Sequence, residues 1–153
     1  MANKSIGNHP SHKGQVVEQI DTTGKQLSQG DSGKVFMVTH SSAVTINLPK
    51  VSAGIAGWNA KFVTKTSGAA FSLLAWGLPV AGGTAASTNN ADTVIIKEMA
   101  TTDAGAATAT GQDGVTLASG ATAGDSLDVF TDGTSWYVTA SVADAAHSAA
   151  IAS

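Results

Sequence analysis

Apolar and polar residues alternate along most of this chain in short runs, the period of strands that bury one face. Trp58, Ala60 and Phe62 fall on one side of such a run, and Asn59, Lys61 and Lys65 fall on the other. Phe71 and Leu73 repeat the phase, and Val16, Val17 and Ile20 suit a first short strand. Residues 34–40 and 43–48 predict a hairpin through Ser41-Ser42, closed by Pro49, a residue that favours the end of a strand. Val94-Ile95-Ile96 is apolar on both faces, which predicts a central strand over residues 93–99; a short one follows at 115–117. The last hairpin, within residues 124–140, is the most specific. Asp132-Gly133 suits a two-residue turn, so Thr131 would face Thr134, Val129 would face Trp136 and Leu127 would face Val138. That register buries Leu127, Val129, Trp136 and Val138, and it leaves Asp128, Phe130, Ser135 and Tyr137 outside.

About eight short strands at roughly ten-residue spacing predict an all-β fold, an antiparallel β-sandwich or barrel. Residues 1–15 are polar and lack any period, so they read as an extended N-terminal arm ahead of a β-domain at 16–142. Residues 143–153 form an Ala-rich C-terminal tail, in which 144–152 suits two helical turns capped by Asp144. Residues 77–91 and 100–114 read as long loops, a class that usually carries function or meets a partner.

Composition narrows the core. Ala, Gly, Ser and Thr make up 78 of the 153 residues, so few large side chains must supply the bulk. Thin cores are often supplemented by oligomerisation or by docking onto a larger surface. There is no Cys, which excludes disulfides and thiolate metal sites. All eight basic residues are Lys and the net charge is −3, so duplex nucleic acid is not an expected partner. No run approaches the length of a membrane helix, and the start lacks the apolar run of a secretory signal.

Candidate chemistry is sparse. Gly30-Asp31-Ser32-Gly33 has the form of a serine-protease nucleophile segment, but only His9 and His12 precede it, both in the arm, so a turn is expected instead. His9 and His12 flank Pro10 and lack a nearby carboxylate, which makes a solvated arm a better account than a metal clamp. Asp103, Asp113, Asp125, Asp128 and Asp132 do not follow a calcium-loop signature and suit turns. Of Trp58, Trp76 and Trp136, only Trp76 is expected to be exposed, so core packing is favoured over a sugar platform. No enzyme activity, cofactor or metal is expected.

The block Gly124-Asp125-Ser126-Leu127 with Thr131-Asp132-Gly133-Thr134-Ser135-Trp136-Tyr137-Val138 resembles a hairpin of small virion structural proteins of tailed bacteriophages. Gly33-Lys34-Val35-Phe36-Met37-Val38 followed by Ala43-Val44-Thr45-Ile46-Asn47-Leu48-Pro49 resembles the hairpin that opens such domains. The resemblance implies a non-enzymatic capsid decoration (cement) protein at the virion surface, made in the host cytoplasm. Its implied partners are the major capsid protein and copies of itself, with trimers the commonest arrangement among the proteins it resembles. The alternatives are a head or tail fibre or tail-tip module, and a carbohydrate-binding adhesion module. Contacts with the partner are expected from Lys4, Ile6, His9, His12 and Lys13 in the arm, whose two lysines precede any acidic residue, and from Trp76.

Overall fold

A computed structural model describes residues 15–66, 70–75, 93–100, 108–112, 114–118, 120–144 and 147–151. The expected partner contacts Lys4, Ile6, His9, His12, Lys13 and Trp76 lie outside the described residues, as do the arm to residue 14 and the loop at 77–91. The chain is all-β, as its alternation predicts, and the described residues form twelve strands rather than about eight. In order they are β1 (Val17–Ile20), β2 (Gly24–Gln26), β3 (Val35–Val38), β4 (Val44–Asn47), β5 (Asn59–Thr64), β6 (Phe71–Leu74), β7 (Thr93–Ala100), β8 (Thr108–Gln112), β9 (Gly114–Leu117), β10 (Ser126–Thr131), β11 (Ser135–Val142) and β12 (Ser148–Ile151). They build a seven-stranded sheet ordered β1-β3-β5-β10-β11-β7-β8 and a five-stranded sheet ordered β12-β9-β6-β4-β2.

Neither sheet is purely antiparallel, which corrects the expected arrangement. β1, β3 and β5 run parallel in one sheet, while β2, β4 and β6 run parallel in the other. The chain therefore crosses from the first sheet to the second three times and returns twice, in three stacked arches. The expected hairpin through Ser41-Ser42 is the second arch, because β3 and β4 belong to different sheets. Both strands of an arch bury one face, as both strands of a hairpin do, so alternation alone does not separate them. This removes the hairpin from the block of the virion resemblance at residues 33–49.

Two turns return the chain between arches, and they share a sequence. Ser28-Gln29-Gly30-Asp31-Ser32-Gly33 and Ser52-Ala53-Gly54-Ile55-Ala56-Gly57 each form a 3-10 turn, and each ends in a glycine of positive φ, 81° at Gly33 and 87° at Gly57. Only glycine takes that backbone without strain. Gly33 N–H donates to the Asn59 carbonyl (2.7 Å) and Gly57 N–H to the Thr131 carbonyl (2.8 Å), so each turn is pinned to the strand stacked next to it. Gly57→Ala is expected to destabilise the domain by about 1–2 kcal/mol, read as a lower urea midpoint with an unchanged slope.

Both sheets feed one apolar core. In the columns set by strand register, Phe36 lies beside Phe62 and Ile46 beside Leu73. Their rings and chains are buried, with Phe36 stacked on Phe62 (5.1 Å) and Phe62 tilted against Phe71 (6.3 Å). In the first arch the same two columns hold Glu18 and Lys25, which pair with each other. Lys25 and Lys34 lie over the Phe36 ring, so charge ends the apolar columns. Trp136 is fully buried and meets Trp58 edge-on (5.2 Å, 87°), as their phases predict.

Three further expectations change. The closing hairpin pairs Thr131 with Trp136, Val129 with Val138 and Leu127 with Ala140, two residues away from the expected register. The faces survive because the shift is even. Asp132 decides the turn: its Oδ1 accepts N–H groups from Thr134 (2.8 Å) and Ser135 (2.9 Å), which widens the loop beyond two residues. The helical turns expected at 144–152 are replaced by β12, antiparallel to β9. β8 occupies part of the loop expected at 100–114, whereas β7 is an interior strand as expected, paired with β11 and β8.

Candidate functional site

The outward positions of β5, β10 and β11 assemble the richest exposed cluster among the described residues. Sheet register sets Asn59, Phe130 and Tyr137 in one row and Lys61, Asp128 and Thr139 in the next. Phe130 is 50% exposed and stacks on Tyr137 with ring centroids 4.8 Å apart and planes 11° apart. Lys61 Nζ lies 3.1 Å from Asp128 Oδ2, both well exposed. Gln15 reaches this face, completing a groove of about 260 Å³ lined also by Asn59, Lys61, Asp128, Phe130 and Thr139.

Local bonds hold the groove in shape. Asn59 Nδ2 donates to the Gly57 carbonyl (3.1 Å), which fixes the orientation of its amide. Tyr137 OH donates to Asp132 Oδ2 (2.9 Å), and this raises the phenol's pKa above its ordinary value. The Ser135 N–H, the Thr134 hydroxyl and the Thr134 N–H hold the Asp132 carboxyl far below the usual carboxylate range, with help from Tyr137. The ring pair is thus tied to the turn that sets the hairpin register.

Two other titratable clusters serve the fold. Glu18 is held below its ordinary pKa by hydrogen bonds from Lys25 and then Lys34. Asp125 is buried. Burial pushes its carboxyl up, but N–H groups of Thr122 and Ala143 and the His147 ring, each 2.9 Å away, outweigh that and lower it. The bonds tie the turn before β10 to the end of β11 and the approach to β12.

The protease-like segment is the first 3-10 turn. Asp31 accepts from Ser28 N–H and Oγ (both 2.8 Å) and pairs with Lys34 (2.6 Å), while Ser32 Oγ accepts the Asn59 N–H (3.3 Å). The described histidines bond elsewhere, His40 with Ser42 and His147 with Asp125. Of the aspartates weighed for calcium, Asp103 and Asp113 lie outside the described residues, and Asp125, Asp128 and Asp132 each have the partners given above. Among the described residues no three His, Asp or Glu side chains group to hold a metal, and no helix is long and apolar enough to cross a membrane.

No family model matches this chain, and no curated protein or solved structure matches it. The groove escapes the sequence for a definite reason. With a two-residue turn Phe130 would face Ser135 and Tyr137 would face Asp128, so the ring pair is invisible until the register moves. Two aromatic residues at outward positions of one hairpin were the available signal.

Proposed function

We propose that this chain is a non-enzymatic capsid decoration protein that binds the outer shell of a tailed-phage particle and bridges its subunits. The fold that goes with this function is a two-layer β-sandwich of stacked arches, attached through an edge and an extended arm. The observation that carries the proposal is strand β1. It is an edge of the seven-stranded sheet, and Val16 and Val17, 56% and 62% exposed, are the most exposed large apolar side chains among the described residues. An edge strand with open main-chain groups and exposed aliphatic side chains is a template for pairing with another chain. Residues 1–14 run directly into that edge, and Lys4 and Lys13 precede any acidic residue. Arm and edge would meet one acidic neighbour together, with the arm's ordering entropy offset by its added contacts. Parallel stacking, with main-chain bonds between turns, suits a part that must bear load.

Deletion of residues 1–14 is expected to leave the melting transition intact and to cut occupancy on undecorated shells by tenfold or more, mainly through faster dissociation. Val17→Lys should weaken binding as well. The test is to add each purified protein to bare shells and count bound copies. Full occupancy by both variants would rule out the arm-and-edge attachment.

A further inference from the structure

The groove beside Phe130 is the strongest unassigned site, and we infer that it binds a neutral saccharide. The groove lies on the outward face of β5, β10 and β11 and touches the β1 end of the sheet only through Gln15 at its rim, while Phe130 and Asp128 take no part in the proposed attachment.

Four features select that ligand class. One wall is an exposed aromatic face, which packs against the C–H face of a sugar ring. The floor is the Lys61–Asp128 pair, in which one ammonium proton and one carboxylate oxygen are used at 3.1 Å. The remaining N–H groups and the other carboxylate oxygen offer donors and acceptors side by side, as vicinal hydroxyls require. The rim adds the oriented Asn59 amide, Gln15 and Thr139. The volume of about 260 Å³ suits one or two pyranose rings rather than a folded partner.

Other occupants fit less well. β10 is hydrogen-bonded on both sides, to β5 and to β11, so the floor has no open main chain for an added peptide strand. Lys61 is neutralised by Asp128, so the groove has no surplus positive charge for a phosphate or an acidic glycan. A purely apolar ligand would have to strip water from that ion pair.

The experiment uses the free full-length chain with an array of neutral and acidic mono- and oligosaccharides, followed by titration calorimetry with the best neutral hit. A neutral glycan should bind, with an affinity that is nearly unchanged between low and 0.5 M salt, an order-of-magnitude choice of screening condition. Phe130→Ala should weaken it on the order of tenfold, and Asp128→Asn several-fold, while Val17→Lys should leave it unchanged. Both Phe130 and Asp128 are exposed, so the variants should fold, and a thermal melt of each checks this. Absence of any neutral hit, preference for acidic glycans with steep salt dependence, or equal affinity after both groove substitutions would overturn the assignment. Phe130→Ala and Asp128→Asn should leave occupancy on bare shells intact, so failure of the glycan site and failure of the capsid function give different results.

Discussion

Trp136→Ala is expected to lower the unfolding free energy by about 3–5 kcal/mol, the range of large-to-small changes at buried aromatic sites. Trp136 is fully buried, lies edge-on to Trp58, and sits in β11 with β10 on one side and β7 on the other. Truncation would leave a ring-sized cavity where the two returning turns meet the closing hairpin, and Trp58, whose Nε1 donates to the Ser28 carbonyl (3.1 Å), would lose its packing partner. Trp136 Nε1 has no hydrogen-bond partner among the described residues. Trp136→Phe therefore removes packing but breaks no hydrogen bond, and its cost should be clearly smaller. Urea melts of both variants at pH 7 check this. Equal midpoints for the wild type and Trp136→Ala would remove Trp136 from the core.

Asp125→Ala should cost about 1–3 kcal/mol, because it removes one buried acceptor from three partly buried hydrogen bonds. Oδ1 serves Ala143 N–H, while Oδ2 serves Thr122 N–H and His147 Nδ1. Asp125→Asn offers one oxygen where two are needed and sets an amide against a donor, so it too should destabilise. The pH dependence has a definite sign. The folded pKa of Asp125 is depressed below the unfolded value of about 3.9. Its contribution is complete above that value and is lost as pH falls through the folded pKa. Glu18 and Asp31 are depressed as well and act in the same direction. Asp31 is pushed up by burial, which the Lys34 and Ser28 bonds outweigh, whereas for Glu18 the lysine bonds dominate. The wild type should lose stability on acidification from pH 5 to about 2 more steeply than Asp125→Ala does. Parallel acid limbs for the two proteins would show that Asp125 does not supply this stability.

Strand positions were legible because alternation reports burial directly. Trp58, Phe62, Phe71, Leu73, Leu127, Val129, Trp136 and Val138 all face the core, as their phases require. Strand direction was not legible, since parallel arches and antiparallel hairpins place the same residues inside. The missed clue was the repeated Ser-x-Gly-x-x-Gly at 28–33 and 52–57, whose equal spacing implies equivalent turns and hence translation of one unit onto the next. The register error at Asp132 arose because Asp-Gly suits a two-residue turn, whereas the Asp132 side chain captures two N–H groups beyond it. Local preference lost again at residues 148–151. Ser-Ala-Ala-Ile favours a helix by propensity, but pairing with β9 satisfies its main chain as a strand. The groove depended on the corrected register, so it could not be found before the turn was.

The pairing of Glu18 with Lys25 ends the apolar columns at the first arch. A repeating stack of arches has no intrinsic stop, because each layer exposes the same apolar rows and open strand edges to the next. Placing one acid and one base where Phe and Ile stood makes the outermost layer self-neutralising and wet, and a fourth layer added there would have to desolvate that pair. A chain whose β1 edge is available to a partner is thereby discouraged from stacking end to end with copies of itself.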